Sequence, residues 1–151
     1  MEVVVVSDTH LDLDFIDVIR SKHPNADMYL HAGDSNRAEH LLEPFITVRG
    51  NGDFLVKARY RILEVYGIRI YLFHGHTYPH DLYMLASLAK ANQCQVIIHG
   101  HTHKPYYQFV DGVYILCPGS TRYPRGGSEA SYALITGDKD KLKVEIITYE
   151  K

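Results

Sequence analysis

Five short apolar runs in this chain each break off into aspartate, asparagine or histidine, and no other feature restricts its fold as much. The first run holds four consecutive valines, Val3 to Val6, and ends in Ser7-Asp8-Thr9-His10. β-Branched throughout and bounded by polar residues, it reads as a buried strand. Met28 to His31 leads into Ala32-Gly33-Asp34, and Ile46 to Arg49 into Gly50-Asn51. Ile68 to Phe73 leads into His74-Gly75-His76, and Gln95 to Ile98 into His99-Gly100-His101-Thr102-His103. Between the first two runs Leu11, Phe15, Val18 and Ile19 recur at helical spacing over Leu11 to Lys22, and Pro24 ends the pattern. Arg37 to Leu42 reads as a brief helix before Pro44. Strand alternating with helix is the pattern of a largely parallel α/β sheet.

The rest of the chain is richer in hairpins. Ala58 to Val65 pairs with Ile68 to Phe73 across Tyr66-Gly67, and Tyr106 to Val110 with Val113 to Cys117 across Asp111-Gly112. Ser131 to Thr136 and Leu142 to Tyr149 flank a polar turn. Asp81 to Ala91 is the best helix, with Leu82, Leu85, Leu88 and Ala89 on one face. The expectation is one α/β domain over residues 1–151. Two sheets, one fed by βα units and one by hairpins, would pack face to face with helices outside. At 46% apolar and 23% charged residues the chain has the balance of a globular protein.

The ends of parallel strands converge on one edge, where ligands bind in such sheets. Asp8, His10, Asp34, Asn51, His76, His101 and His103 would therefore meet there. This many nitrogen and oxygen donors exceed what one tetrahedral ion takes and suit two divalent ions about 3.5–4 Å apart. Asp34, with two carboxylate oxygens, is the natural bridge. His101 and His103, as residues i and i+2 of an extended segment, can straddle the pair. Without thiolates the donor set suits Mn, Fe, Ni, Co or Zn in a catalytic rather than a structural site. Two carboxylates and a shared hydroxide against two divalent ions leave a surplus of about one positive charge, which favours an anionic phosphate ester. Asp34, Asn51 and His76 are the residues expected nearest the chemistry. His74 and His99, each two residues before an expected ligand, could orient a ligand or a water, or serve as ordinary strand histidines.

Each block alone has a plainer reading: Asp8 or Thr9 as a helix N-cap, and Gly33-Asp34 and Gly50-Asn51-Gly52-Asp53 as turns. Their conjunction at successive strand ends favours the metal centre.

Asp8-Thr9-His10, Gly33-Asp34, Gly50-Asn51, Gly75-His76 and Gly100-His101-Thr102-His103 follow in order the DxH, GD, GN, GH, GHxH pattern. The chain thereby resembles the calcineurin-like metallophosphoesterase superfamily, and the compact prokaryotic phosphodiesterases within it. The resemblance implies a four-layer α/β/β/α sandwich and hydrolysis of phosphate esters, most readily diesters, by in-line attack of a hydroxide shared by two ions. It assigns Asp8, His10 and His103 to one ion, Asn51, His76 and His101 to the other, and Asp34 to both. Where many members follow the asparagine with a histidine that serves the leaving group, this chain has Gly52. Leaving-group protonation then falls to another residue, or the substrates are esters of acidic alcohols.

Three other classes compete with a phosphodiesterase: a phosphomonoesterase, a mononuclear iron oxygenase, and a non-catalytic metal-binding scaffold such as the retromer subunit that shares the fold. A formal net charge of -2 gives no case for a nucleic-acid partner. No run approaches the about 18 apolar residues of a membrane span, and no signal peptide opens the chain, so the expected location is the cytoplasm. Cys94 and Cys117 read as small buried hydrophobes. The expected partner is a small phosphate ester; twelve tyrosines are compatible with a homodimer.

Overall fold

The computed structural model describes residues 1–151. Its elements run β1 (Glu2–Val6), α1 (Asp14–Lys22), β2 (Met28–His31), β3 (Phe45–Thr47), β4 (Tyr60–Val65) and β5 (Ile68–Phe73). They continue with α2 (Leu82–Ala91), β6 (Val96–Ile98), β7 (Tyr106–Val110), β8 (Val113–Cys117), β9 (Ser131–Gly137) and β10 (Leu142–Thr148). One five-stranded sheet has the order β10-β9-β1-β2-β3, the other β4-β5-β6-β8-β7. Each is mixed: a parallel trio, β1-β2-β3 or β5-β6-β8, carries antiparallel neighbours at its margins.

The division into a βα sheet and a hairpin sheet does not hold. The C-terminal hairpin β9-β10 joins the first sheet through β1, with Val4 opposite Leu134. Burial explains the choice, because β1 must be covered on both faces and along both edges. Val3 and Val5 point between the sheets with Leu30, Ile70, Leu72, Ile98 and Ile135. Val4 and Val6 point outward against Phe15 and Ile19 of α1 and Tyr132 of β9. β5 and β6 repeat the arrangement, with Tyr71, Phe73 and Ile97 turned toward Leu85, Ala86 and Ala89 of α2. A strand buried on both faces reads as a continuous apolar run, which is why the valines show no alternation. The outcome is the four-layer sandwich: α1, sheet, sheet, α2.

Two helical segments begin more than one residue later than expected, for local reasons. α1 begins at Asp14 rather than Leu11 because residues 8–11 are committed elsewhere. The His10 and Leu11 N–H groups donate to the Asp34 and Ser35 carbonyls at 3.1 and 2.8 Å, and Asp8, His10 and Leu11 all have positive φ. Arg37 to Leu42 shortens to a 3-10 turn, Glu39–Leu42.

Strand register sets the site edge. Val6 lies opposite His31 and Leu72 opposite Ile98, so β1 with β2, and β5 with β6, stop level with each other. Beyond the strands the stitching continues, Asp8 N–H to Gly33 O at 2.9 Å and Gly100 N–H to His74 O at 3.1 Å.

Two fully buried histidines support this edge. His31 Nδ1 accepts the Gly33 N–H at 3.0 Å, so its proton sits on Nε2, facing Thr9 Oγ1 at 2.9 Å. His99 donates from Nδ1 to Gly100 O at 2.8 Å and accepts from Tyr106 Oη at 2.7 Å. Burial lowers both imidazoles to about 4. The unfolded chain protonates them near pH 6.5, so between the two values it takes up protons that the folded chain refuses. Their contribution is complete above about pH 6.5 and lost as pH falls toward 4. Measured as urea midpoints in chelator, His99→Gln should lose less stability than the wild type between about pH 7 and pH 5.

Candidate metal centre

Asp8 is fully buried just past β1, and its two oxygens are treated differently. Oδ2 accepts the Ser7 hydroxyl at 2.6 Å and the His101 N–H at 3.1 Å. Oδ1 is buried with no hydrogen-bond partner. It lies 3.2 Å from His103 Nε2, 3.7 Å from His10 Nε2 and 3.9 Å from His74 Nε2. Burial pushes the Asp8 carboxyl up, but the adjacent His10 and His103 imidazoles, then the charge of His74 and the Ser7 hydroxyl, outweigh it and hold the group well below the usual carboxylate range.

The far side of each imidazole explains why these nitrogens point inward. His10 Nδ1 donates to Asn36 Oδ1 at 2.9 Å, His103 Nδ1 to Tyr123 O at 2.6 Å, and His74 Nδ1 to Ala32 O at 2.7 Å. With the proton placed on Nδ1, a neutral ring presents the Nε2 lone pair to the centre, the arrangement that metal-binding histidines adopt. His10 Nε2 and His103 Nε2 stand 3.3 Å apart beside Asp8 Oδ1. Three electron pairs so close repel unless a proton or a cation lies among them. With ligand bonds of about 2.1 Å, neighbouring ligand atoms on one ion stand about 3.0–3.4 Å apart, so the donor set fits a metal ion.

A second group forms beside the first. His74 Nε2 is 3.4 Å from Asp34 Oδ2 and 3.0 Å from Asn51 Oδ1, which is 3.3 Å from His101 Nδ1. The His/Asp clusters close enough to hold an ion are Asp8-His10-His103 and Asp8-Asp34-His74, with Asp8 common to both. Asp34 also accepts the Gly52 N–H on Oδ1 at 2.8 Å. Burial raises its carboxyl, but the His74 hydrogen bond and charge and the Gly52 N–H bring it below the ordinary value. His10 and His74 bind protons more tightly than an ordinary imidazole. The adjacent Asp8 carboxylate leads for His10, and for His74 burial is overcome by Asp34 and Asp8.

Of the residues expected from the sequence, Asp8, His10, Asp34, Asn51, His101 and His103 come together. His76 makes no hydrogen bond to these donors, and its buried Nδ1 has no partner. Its ring centroid is 5.4 Å from that of His74 and 6.2 Å from that of His101, and it faces a cavity shared with Asn51 and His74. His74, expected to orient a ligand or a water or to be an ordinary strand histidine, presents its own Nε2 to the centre. His99 engages Gly100 and Tyr106 rather than a candidate ligand's side chain.

Close backbone approach has a visible cost here. A Cβ on Gly100 would run into Ser7 Oγ and Asp8 Oδ2, and one on Gly50 into Asp34. A Cβ on Gly52 would meet Asn36 Nδ2 at 2.7 Å, so placing a histidine there requires Asn36, the acceptor of His10, to shift.

Comparison with known proteins now settles the lineage. Residues 1–140 match the family model of the calcineurin-like phosphoesterase superfamily domain. The chain belongs to that superfamily. A probable metallophosphoesterase of Mycoplasma pneumoniae is 37% identical over 131 residues, covering 82% of this chain and 81% of that one. Phosphodiesterase YfcE of Escherichia coli K12 is 30% identical over 77% of this chain and 64% of its own length. Among solved structures, a conserved uncharacterized protein of Streptococcus pneumoniae, a predicted phosphoesterase, superposes with a TM-score of 0.89 at 28% identity, over 97% of this chain and 88% of that one. Zinc-complexed Vps29 of Entamoeba histolytica shares the fold at 22% identity, with a TM-score of 0.75 over 97% of this chain and 98% of its own.

Asp53 escaped the sequence reading, in which it closed a turn. Its buried carboxylate accepts the N–H groups of Gly50, Asp34 and Asn36 at 2.7, 2.8 and 2.9 Å. Those bonds hold the Asp34 and Asn51 loops against each other. An aspartate that closes a glycine-containing loop is the signal that could have found it. Asp53→Ala leaves two buried donors and one half-buried donor without an acceptor and should cost about 2–4 kcal/mol in urea unfolding.

Proposed function

We propose that this chain is a phosphodiesterase with two divalent transition-metal ions, Mn, Ni, Fe, Co or Zn. Asp8, His10 and His103 would hold one ion; Asn51, His101 and His74 would hold the other, and Asp34 would lie between them. The carrying observation is the convergence of Asp8 Oδ1, His10 Nε2 and His103 Nε2 with the protonated sides of both rings turned away. Such ions supply positive charge to the phosphate oxygens and acidify a water.

Hydrolysis adds water across one P–O bond and releases an alcohol and a phosphomonoester. The chain's own part is to hold the donors rigidly and keep Asp8 ionised. Gly52 has only its N–H to offer, and that is given to Asp34. With no proton donor in this loop, esters of acidic alcohols are the favoured substrates. Two carboxylates against two divalent ions and a hydroxide leave about one positive charge, which matches a diester monoanion better than a monoester dianion. The similarity to YfcE, whose name records a phosphodiesterase, supports the same choice. His76 takes a substrate-side role here rather than that of an ion ligand, because its ring stands 5.4 Å from that of His74, outside both close donor groups.

Chelation followed by single additions of Mn, Ni, Co, Zn or Mg tests the reading, with bis-p-nitrophenyl phosphate and p-nitrophenyl phosphate assayed in parallel. Turnover should return with a transition ion, favour the diester, and fall at least about a hundredfold in Asp34→Asn. His74→Ala should lower bound metal from about two ions per chain to about one, while His76→Ala keeps about two. Two bound ions without hydrolysis of either ester would point to a scaffold; no bound metal would overturn the ligand assignment.

A further inference from the structure

A cavity of about 370 Å³ opens directly off the second donor group and shares Asn51 and His74 with it. Its two cationic side chains, Arg49 and Arg59, come from the loop between β3 and β4. The Arg49 N–H donates to Ala58 O at 2.7 Å and closes that loop, bringing the two arginines to the same mouth. The wall behind them is Tyr60 stacked on Tyr71, centroids 5.4 Å apart and planes 6° from parallel.

Nearby arginines are tied down. Arg61 donates to Thr47 O and pairs with Glu39. Arg69 donates to the Gln93 and Asn92 carbonyls and faces Glu64. Arg122 donates to His10 O and lies over the Tyr123 ring. Arg49 and Arg59 have no such partner in the protein, and no aspartate or glutamate lines their cavity. Two guanidinium groups turned to one space with no internal anion form a receptor for a planar or tetrahedral oxyanion.

We propose that the substrate of this centre carries a second anionic group, a phosphoryl or a carboxylate, which Arg49 and Arg59 bind while the reacting phosphate occupies the donor cluster. The inference rests on the phosphodiesterase reading for the place of the reacting phosphate, and it narrows the substrate class to esters with two anionic centres. Asn51 and His74, shared by both compartments, set the two anions on adjoining sides of one wall. The aromatic pair supplies a surface for the atoms that join them.

The test is equilibrium binding to manganese-loaded protein, which needs no turnover. Propylphosphonate carries one anionic group; phosphonopropionate adds a carboxylate and propylene diphosphonate adds a phosphoryl group. At least one of the two-anion ligands should bind about tenfold or more tightly than propylphosphonate, and which one does so identifies the second group. That preference should shrink to about twofold or less in Arg49→Gln/Arg59→Gln and persist in part in Arg49→Lys/Arg59→Lys, which keeps the charge. Thermal unfolding of each variant establishes that it is folded. Wild-type protein with no preference, or a preference that survives in the Gln pair, overturns the proposal. Failure of the hydrolase reading looks different: no ester is cleaved with any ion, whether or not the preference is present.

Discussion

The structure turns on one buried carboxylate whose two oxygens have opposite surroundings. Asp8 Oδ2 is bound by Ser7 and by the His101 backbone, which ties the end of β1 to the segment after β6 and so links the two sheets. Oδ1 is left free of hydrogen bonds among three imidazole nitrogens. Burying a charge is unfavourable unless it is paired, so this environment stands only because cationic character is concentrated around it. Ser120 Oγ adds a further tie by donating to the Asp8 carbonyl at 2.7 Å. The same residue therefore fastens the sandwich at one edge and creates the demand for positive charge there.

The backbone around the centre is held in a conformation that side-chain-bearing residues avoid. Asp8, His10, Asp34, His101 and His103 all have positive φ, between 39° and 74°. Aspartate and histidine tolerate this region better than most residues, yet each instance costs of order 1–3 kcal/mol. The strain is supported by what lies underneath: two five-stranded sheets whose facing valines, leucines and isoleucines are almost completely buried. Left-handed turns directly after strand ends reverse the side-chain direction and aim successive donors at one point. A regular strand would send neighbours to opposite faces.

That reversal marks the limit of what was legible in the sequence. The five strand ends, the alternation of strand and helix and the α/β/β/α layering follow from apolar runs and turn residues, because burial and turn chemistry are local signals. The two histidines of the His74-Gly75-His76 segment could not be told apart in that way, since residues i and i+2 of an extended chain face the same side. The difference arises at Gly75, whose φ of 80° turns the chain, and at Ala32, whose carbonyl takes the His74 Nδ1 proton. Neither is visible in the spacing. The docking of the C-terminal hairpin on β1 was equally hidden, being decided by which edge needed cover rather than by any property of the hairpin itself.

The division of labour between strand ends and loops follows from the same constraints. Asp8, His10, Asp34, His74, His101 and His103 sit within a few residues of a strand, held by backbone bonds at the edge of each sheet and by the His101 N–H on Asp8 across them. Arg49 and Arg59 sit on the loop between β3 and β4, anchored by one backbone hydrogen bond and by the Asp53 carboxylate further along the same loop. Rigid scaffold positions suit ion ligands, which must stay within tenths of an ångström, while loop positions can vary without disturbing the core. In this chain Asp53 joins the two: its carboxylate holds the Asp34 backbone on one side and the root of the arginine-bearing loop on the other. The placement of the donor cluster and the placement of its neighbouring cations are thereby mechanically dependent on a single buried side chain.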